Sequence, residues 1–246
     1  MSTSLKLVSL NIERGKHLDL VSAFLSRENP EVACIQELRE QDIPMFEKIL
    51  GAPCIFVPLS NFPDDDAPSI IGSAIFSRLP VRSRTIEHYV GDPQHIPDFM
   101  FDDKRTMNRA LIVCDIEKDG QLFRIGTTHF TWTPDGNPND LQKRDIQRLL
   151  PLLESAGELV LTGDFNAPRG QPGQGGEIWG MLAERYKDNV PLKYTTSLDG
   201  TFHRAGRLPY MVDGIFSTPE YQVSNVEMVC GLSDHCALVA SVSKSD

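Results

Sequence analysis

The sequence predicts a mixed α/β fold, on three observations. Short apolar runs that read as strands recur along the chain, as at residues 5–12, which alternate apolar and polar residues, and at 110–116. Between some of them lie segments whose apolar residues repeat at helical spacing, such as Leu20, Val21, Phe24 and Leu25. Proline, glycine and an Asp-Gly pair punctuate the junctions. The 246 residues show no internal repeat and no break in composition, so one domain spanning residues 1–246 is expected.

Taken in order, residues 5–12 predict a strand. Residues 19–28 predict a helix that stops at Asn29-Pro30, because proline disfavours helix in the residue before it. A strand follows at 31–36, then a short helix at 41–50 ended by Gly51. Residues 55–59, 73–77 and 85–90 read as strands, and 91–103 as a long polar connection of the kind that often carries function. Asp64-Asp65-Asp66 reads as a solvated loop run. Strands at 110–116 and 122–128 join at Asp119-Gly120, a hairpin signal. Residues 139–153 are the strongest helix, with Asn139 or Asp140 as cap and Leu141, Ile146, Leu149 and Leu150 on one side. A strand at 158–162, a glycine-rich loop at 169–176, a helix at 175–186 and strands at 211–216, 221–229 and 237–242 complete the chain.

A hydrophobic fraction of 40% is enough for a sizeable core and excludes a disordered chain. The 34 acidic residues outnumber the 24 basic ones, giving a formal charge of −10. That balance argues against gripping nucleic acid by bulk electrostatics. It is compatible with a site where carboxylates crowd around a divalent cation. The five cysteines form no C-x-x-C pair and no zinc-like spacing, and the expectation is buried free thiols in a reducing compartment. No apolar run approaches the roughly eighteen residues of a membrane span, and the N-terminus has no apolar leader region. A soluble, cytoplasmic protein with no obligate protein partner is expected.

Five short segments place polar residues at the ends of apolar strands: Ser9-Leu10-Asn11-Ile12-Glu13, Ile35-Gln36-Glu37, Thr127-Thr128-His129, Thr162-Gly163-Asp164-Phe165-Asn166 and Ser233-Asp234-His235. Strand ends can converge on one cleft while the strands hold them rigid. Singly, each has an ordinary reading: Asn11 as a turn residue, Glu37 as a surface charge, His129 as a satisfied core histidine.

In this order the five segments resemble the endonuclease/exonuclease/phosphatase superfamily of metal-dependent phosphoesterases. The resemblance runs from residue 5 to residue 242, and the stretch Gly72-Ser73-Ala74-Ile75-Phe76-Ser77-Arg78-Leu79-Pro80 resembles a family strand ending in a Ser-Arg-x-Pro turn. It implies a four-layer α/β/β/α sandwich of two mainly antiparallel sheets flanked by helices. It implies Mg²⁺ or Mn²⁺ as cofactor, a hard cation suited to oxygen ligands. Glu37 is then the principal metal ligand, with Asn11 beside it and Asp234 as a second or water-mediated contact; Glu13 is a weaker candidate. His235 is the general base or transition-state partner, oriented by Asp213. His129 faces the phosphate from the other side, Asp164 positions the attacking water, and Asn166 holds a phosphoryl oxygen. Arg109 stands where relatives often carry a phosphate-contacting arginine; a snorkelling arginine beside a buried strand is the alternative.

The subfamily is less legible. The segment Met211-Val212-Asp213-Gly214 lacks the arginine that often precedes this aspartate, and no strongly basic pocket is visible. The expected substrate is nucleic acid, cut endo- or exonucleolytically, or a nucleotide-containing ester, with single-stranded DNA or RNA favoured by the acidic balance. The alternative is a phosphomonoesterase or lipid phosphodiesterase acting on an inositol phosphate or sphingomyelin. A catalytically inactive binding module is disfavoured because the whole residue set is present. Specificity is expected in the loops 91–108, 169–176 and 195–209, with His203 and Arg204 read as solvated.

Overall fold

The computed structural model describes residues 3–63, 68–100, 103, 106–134, 136–170 and 176–245. Asp64-Asp65-Asp66 and most of the 169–176 loop lie outside these. The first half of the chain runs β1 (Ser4–Asn11), α1 (Leu18–Glu28), β2 (Val32–Arg39), α2 (Ile43–Leu50), β3 (Cys54–Pro63), β4 (Pro68–Ser77), β5 (Val81–Val90) and β6 (Arg109–Lys118). The second half runs β7 (Gln121–His129), α3 (Asp140–Ala156), β8 (Val160–Asp164), α4 (Glu177–Ala183), β9 (Lys187–Asp188), β10 (Asp213–Ser217), β11 (Tyr221–Val229) and β12 (Ala237–Lys244).

The strands form two six-stranded sheets, ordered β11-β12-β1-β2-β4-β3 and β5-β6-β7-β8-β10-β9. Among the described strands, β1–β2 and β7–β8 pair in parallel and the other neighbours antiparallel, as expected of mainly antiparallel sheets. Period-two alternation explains the layering. On β1, Leu5 and Leu7 enter the core shared with the second sheet, while Val8 and Leu10 turn outward with Phe24 and Leu25 of α1 and Phe46 of α2. On the far side α3 packs against β5 and β6 through a ridge of Ile146, Leu149 and Leu153. The result is the α/β/β/α sandwich.

The termini of the helices follow local chemistry. Asn29 closes α1 in the left-handed region, donating its N–H to the Leu25 carbonyl. Gly51 does the same for α2 at φ 60°, a conformation that favours glycine. The Asn139 side chain caps α3 by accepting from the Gln142 N–H at 2.9 Å. Departures from expectation are small. A 3-10 turn at Glu40–Asp42 precedes α2, α4 is shorter than 175–186, and β10 begins at Asp213 because Met211 and Val212 give their carbonyls to Arg169 and Phe165. The two-residue β9 exists only through its pairing with β10 and has no pattern of its own.

The expectation of five free thiols holds for three cysteines and fails for two. Cys34, Cys54 and Cys114 are free, but Cys230 and Cys236 form a disulfide. Antiparallel pairing of β11 with β12, in the register Val229↔Ala237, brings the two Cα atoms to 4.2 Å, which their linear spacing does not reveal. Among the described residues no helix is long and apolar enough to cross a membrane.

Candidate active site

The two parallel pairs set the site. Asn11 ends β1 in register with Gln36, and His129 ends β7 opposite Asp164 at the end of β8. On the other side of β8, Asp164 is paired with Asp213, the first residue of β10. Gln36 ties the sheets together by donating to Thr127 Oγ1 at 3.0 Å in the buried interior. Gly163 makes the β7–β8 approach feasible: at φ 144° a Cβ there would lie 2.0 Å from the Thr128 carbonyl oxygen.

Backbone conformation aims several side chains. Glu37 sits at φ 56° in a bulge of β2 against β4, between Ile35 and Leu38. Asn166 is at φ 49°, Glu13 at φ 48° and Arg14 at φ 63°. Non-glycine residues in this region are uncommon, and here they cluster around one cleft.

Asp164 is the hub. Its Oδ2 accepts from Asn11 Nδ2 at 3.1 Å and lies 3.6 Å from His129 Nε2 and 3.7 Å from His235 Nε2. Its Oδ1 accepts from the Asn166 N–H at 2.8 Å. Burial pushes its carboxyl up to about 7, with Asp213 adding to the rise and His235 opposing it. His235 is held by a 2.8 Å hydrogen bond between its Nδ1 and Asp213 Oδ2. Burial favours neutral His235, but Asp213 and Asp164 outweigh it and hold the imidazole well above its usual range. His129 goes the other way: burial, then the charges of Arg109 and His235, push it well below. The surroundings therefore push two buried histidines in opposite directions, on either side of one carboxylate.

Glu37 completes the polar floor, with Oε1 4.0 Å from His129 Nε2. Burial raises its carboxyl, Arg14 opposes the rise and Asp234 reinforces it. Asn11 Nδ2 reaches Glu37 at 3.3 Å as well as Asp164, and its Oδ1 accepts from the Glu13 N–H. The opposite amide orientation would set an oxygen against two carboxylates, so Asn11 presents nitrogen to them and bridges the pair. Asp164, Asp213 and His235 offer ligand atoms within 4.8 Å of one another. Asp213 and His235 are spent on each other, Glu13 is engaged by Lys16 and His17, and Asp164 accepts from Asn11 and Asn166; Glu37 and Asp234 are the other carboxylates lining the cleft, with oxygen to offer a cation. In the other close group, Asp199 with Cys230 and Cys236, the sulfurs are bonded to each other.

Arg109 is buried, unlike a solvent-reaching arginine, and its Nη1 donates to the His129 carbonyl at 3.0 Å. Its Nε makes no hydrogen bond, and the side chain lines the cleft. Asn166 Nδ2 donates one hydrogen to the Phe130 carbonyl at 3.0 Å, leaving the second amide hydrogen.

The cleft encloses about 400 Å³ and brings together, at its lining, Glu37, Arg109, His129, Asp164, Asn166, Asp234 and His235. Asn11 and Asp213 lie directly behind them. Sequence reading missed its walls. Arg14 lies 3.6 Å from Glu37 and sits over the Phe62 ring at 4.3 Å, and Phe62 stacks on Phe99 at 4.5 Å. Trp132 and Tyr210 line it as well. Phe62 lies near the end of β3, and the others are loop residues without periodicity, so only the fold could place them. His203 and Arg204, read as solvated, also line the cleft, and His203 is half-buried.

The family model described as endonuclease/exonuclease/phosphatase matches residues 8–235, nearly the whole chain and all five strand-end segments. The chain belongs to the endonuclease/exonuclease/phosphatase family. No curated protein matches the sequence. Among solved structures, a family protein of Bacteroides vulgatus superposes with a TM-score of 0.73 at 19% identity, covering 99% of this chain and 100% of that one. A mannosyl-6-phosphatase of Bacteroides thetaiotaomicron gives 0.68 at 15% identity, covering 98% and 100%. TDP2 of D. rerio, complexed with a single-strand DNA product, gives 0.66 at 16% identity, covering 98% and 99%. These likenesses show the fold. Membership of the endonuclease/exonuclease/phosphatase family makes the protein a phosphoester hydrolase of a metal-dependent family.

Proposed function

We propose that the protein is a Mg²⁺- or Mn²⁺-dependent phosphodiesterase acting on single-stranded nucleic acid or a nucleotide-containing ester. The observation that carries this is the placement of His129 and His235 at 3.6 and 3.7 Å on either side of Asp164 Oδ2, with surroundings that push the two imidazoles in opposite directions. Pairs of titratable groups pushed apart by their surroundings divide acid and base work between them.

Asp164, with a carboxyl raised to about 7, orients the attacking water and takes its proton. His235, fixed by Asp213, keeps an imidazolium against the charge that grows on the phosphoryl oxygens. Neutral His129 donates a hydrogen bond from the other side. Arg109 and the second amide hydrogen of Asn166 hold phosphoryl oxygens. The oxygen donors fit a hard cation: Glu37 is raised by burial and by Asp234, so a positive charge between them relieves both. When bound, that cation neutralises phosphate charge and polarises the P–O bond.

The acidic balance supports a small or single-stranded substrate over duplex DNA. The complex of D. rerio TDP2 with single-strand DNA product supports the same choice. The mannosyl-6-phosphatase likeness favours the second reading, a phosphomonoesterase. The cytoplasmic location expected from sequence requires the Cys230–Cys236 bond to survive a reducing poise, because structural disulfides are rare there. The metal role is tested with Glu37→Gln. It should raise the Mg²⁺ concentration for half-maximal activity on the order of tenfold or more and leave the fold intact. Unchanged metal dependence would contradict Glu37 as ligand.

A further inference from the structure

We propose that the Cys230–Cys236 disulfide is a positioning element of the reaction centre and that its reduction by a dithiol lowers turnover. The bond closes the tip of the β11–β12 hairpin, and the ring it makes contains both Asp234 and His235. This rests on the reading above, in which those two residues serve the reaction.

Besides the burial of Leu232 in the outer core and the His235–Asp213 bond, the tip is held by hydrogen bonds from one segment. The Asp199 N–H donates to the Asp234 carbonyl at 2.8 Å, and the Cys236 N–H to the Ser197 carbonyl at 2.7 Å. Asp199 Oδ2 accepts from the Gly231 N–H at 2.7 Å, and Leu198 bridges to His235. That segment belongs to the loop joining β9 to β10, not to a sheet. The disulfide is the covalent link internal to the hairpin, so it fixes the tip independently of the loop. Gly231, at φ 83°, provides a pivot beside Cys230. Once the bond opens, the His235 imidazole depends on the loop, on Asp213 and on the packing of Leu232 for its position. Small displacements of a catalytic group are expensive in rate.

The bond is also reachable. Cys230 is exposed and Cys236 buried, so a dithiol meets the Cys230 sulfur first. A thiolate of the dithiol attacks Cys230 Sγ, the S–S bond breaks, and Cys236 leaves and is protonated. The second thiol then displaces Cys230 and closes the reductant into a cyclic disulfide. Two electrons and two protons pass to the cysteine pair, and two electrons are lost by the dithiol.

The test compares kcat and KM of oxidised and dithiothreitol-reduced protein, using a single-stranded oligonucleotide and bis(p-nitrophenyl) phosphate with Mg²⁺. Thiols are counted in denaturant, and far-UV circular dichroism checks the fold in both states. Three thiols are expected before reduction and five after, with kcat falling on the order of tenfold, KM changing much less, and reoxidation restoring kcat. Cys230→Ser should show the low kcat in either condition. Equal kcat in both states, with the thiol count changed, would overturn the proposal; so would five thiols in the oxidised protein. His235→Ala separates the two layers of the argument. Full activity in that variant would end the catalytic reading of His235, and this proposal with it. An inactive His235→Ala beside a reductant-indifferent wild type would overturn the disulfide's role alone.

Discussion

Asp164 and Asp213 are directly opposed across β8 and β10, and the His235 imidazole touches both, 2.8 Å from Asp213 and 3.7 Å from Asp164. Like charges at opposed strand positions repel, so the pair is tenable because an imidazolium lies against it. Asp213→Asn removes the charge that outweighs the burial of His235. Turnover should fall on the order of 10²-fold or more with KM little changed, read from steady-state kinetics. Near-normal kcat would mean that another group orients His235.

The same relationship sets a pH dependence of stability. The folded state holds His235 above the 6.5 of a free imidazole, so its bound proton stabilises the fold. That contribution is complete below about pH 6.5 and is lost as pH rises through the higher folded value. Denaturant unfolding of wild type and Asp213→Asn should therefore differ most at mildly acid pH, with the gap narrowing in alkali. A gap that widens with pH would contradict the charge state assigned to His235.

Asp164 acts in the opposite sense. Its folded carboxyl is raised from 3.8 to about 7, so keeping it ionised costs stability that grows across that window. Asp164→Asn should unfold at a temperature several degrees higher near pH 8, with chelator present, and should be inactive. The gain should vanish near pH 4. Equal melting temperatures near pH 8 would show that the buried carboxylate is already compensated.

Arg109 shows where sequence and structure diverge. Read as a phosphate-contacting arginine, it could be lost with little change in folding, but its guanidinium is buried and holds the His129 carbonyl. Arg109→Ala should cost about 1–3 kcal/mol of stability, the usual penalty for orphaning a buried acceptor, besides lowering kcat/KM. On a chain of net charge −10, the slope of log affinity against log salt should correspond to about two or three phosphates. A steep slope would contradict the inference drawn from the acidic balance.

The strands and the site floor were legible because their signals are local. Alternation on β1 sorts Leu7 from Val8, and each strand-end segment carries its own polar residue next to an apolar run. The disulfide, Arg14, Phe62 and His203 were not legible, because each depends on a register or loop path set by distant pairings. Asn11 was legible as a site member, but only its hydrogen bonds show that it presents nitrogen to the two carboxylates.

The most direct test is initial-rate hydrolysis with and without excess chelator. The substrates are single-stranded DNA, single-stranded RNA, duplex DNA, a sugar 6-phosphate, an inositol phosphate and sphingomyelin. The expected result is Mg²⁺-dependent cleavage of single strands, faster than matched duplex, abolished by chelator and by His235→Ala. Full activity in chelator would contradict the metal chemistry, and turnover confined to the sugar phosphate or the lipid would contradict the proposed substrate.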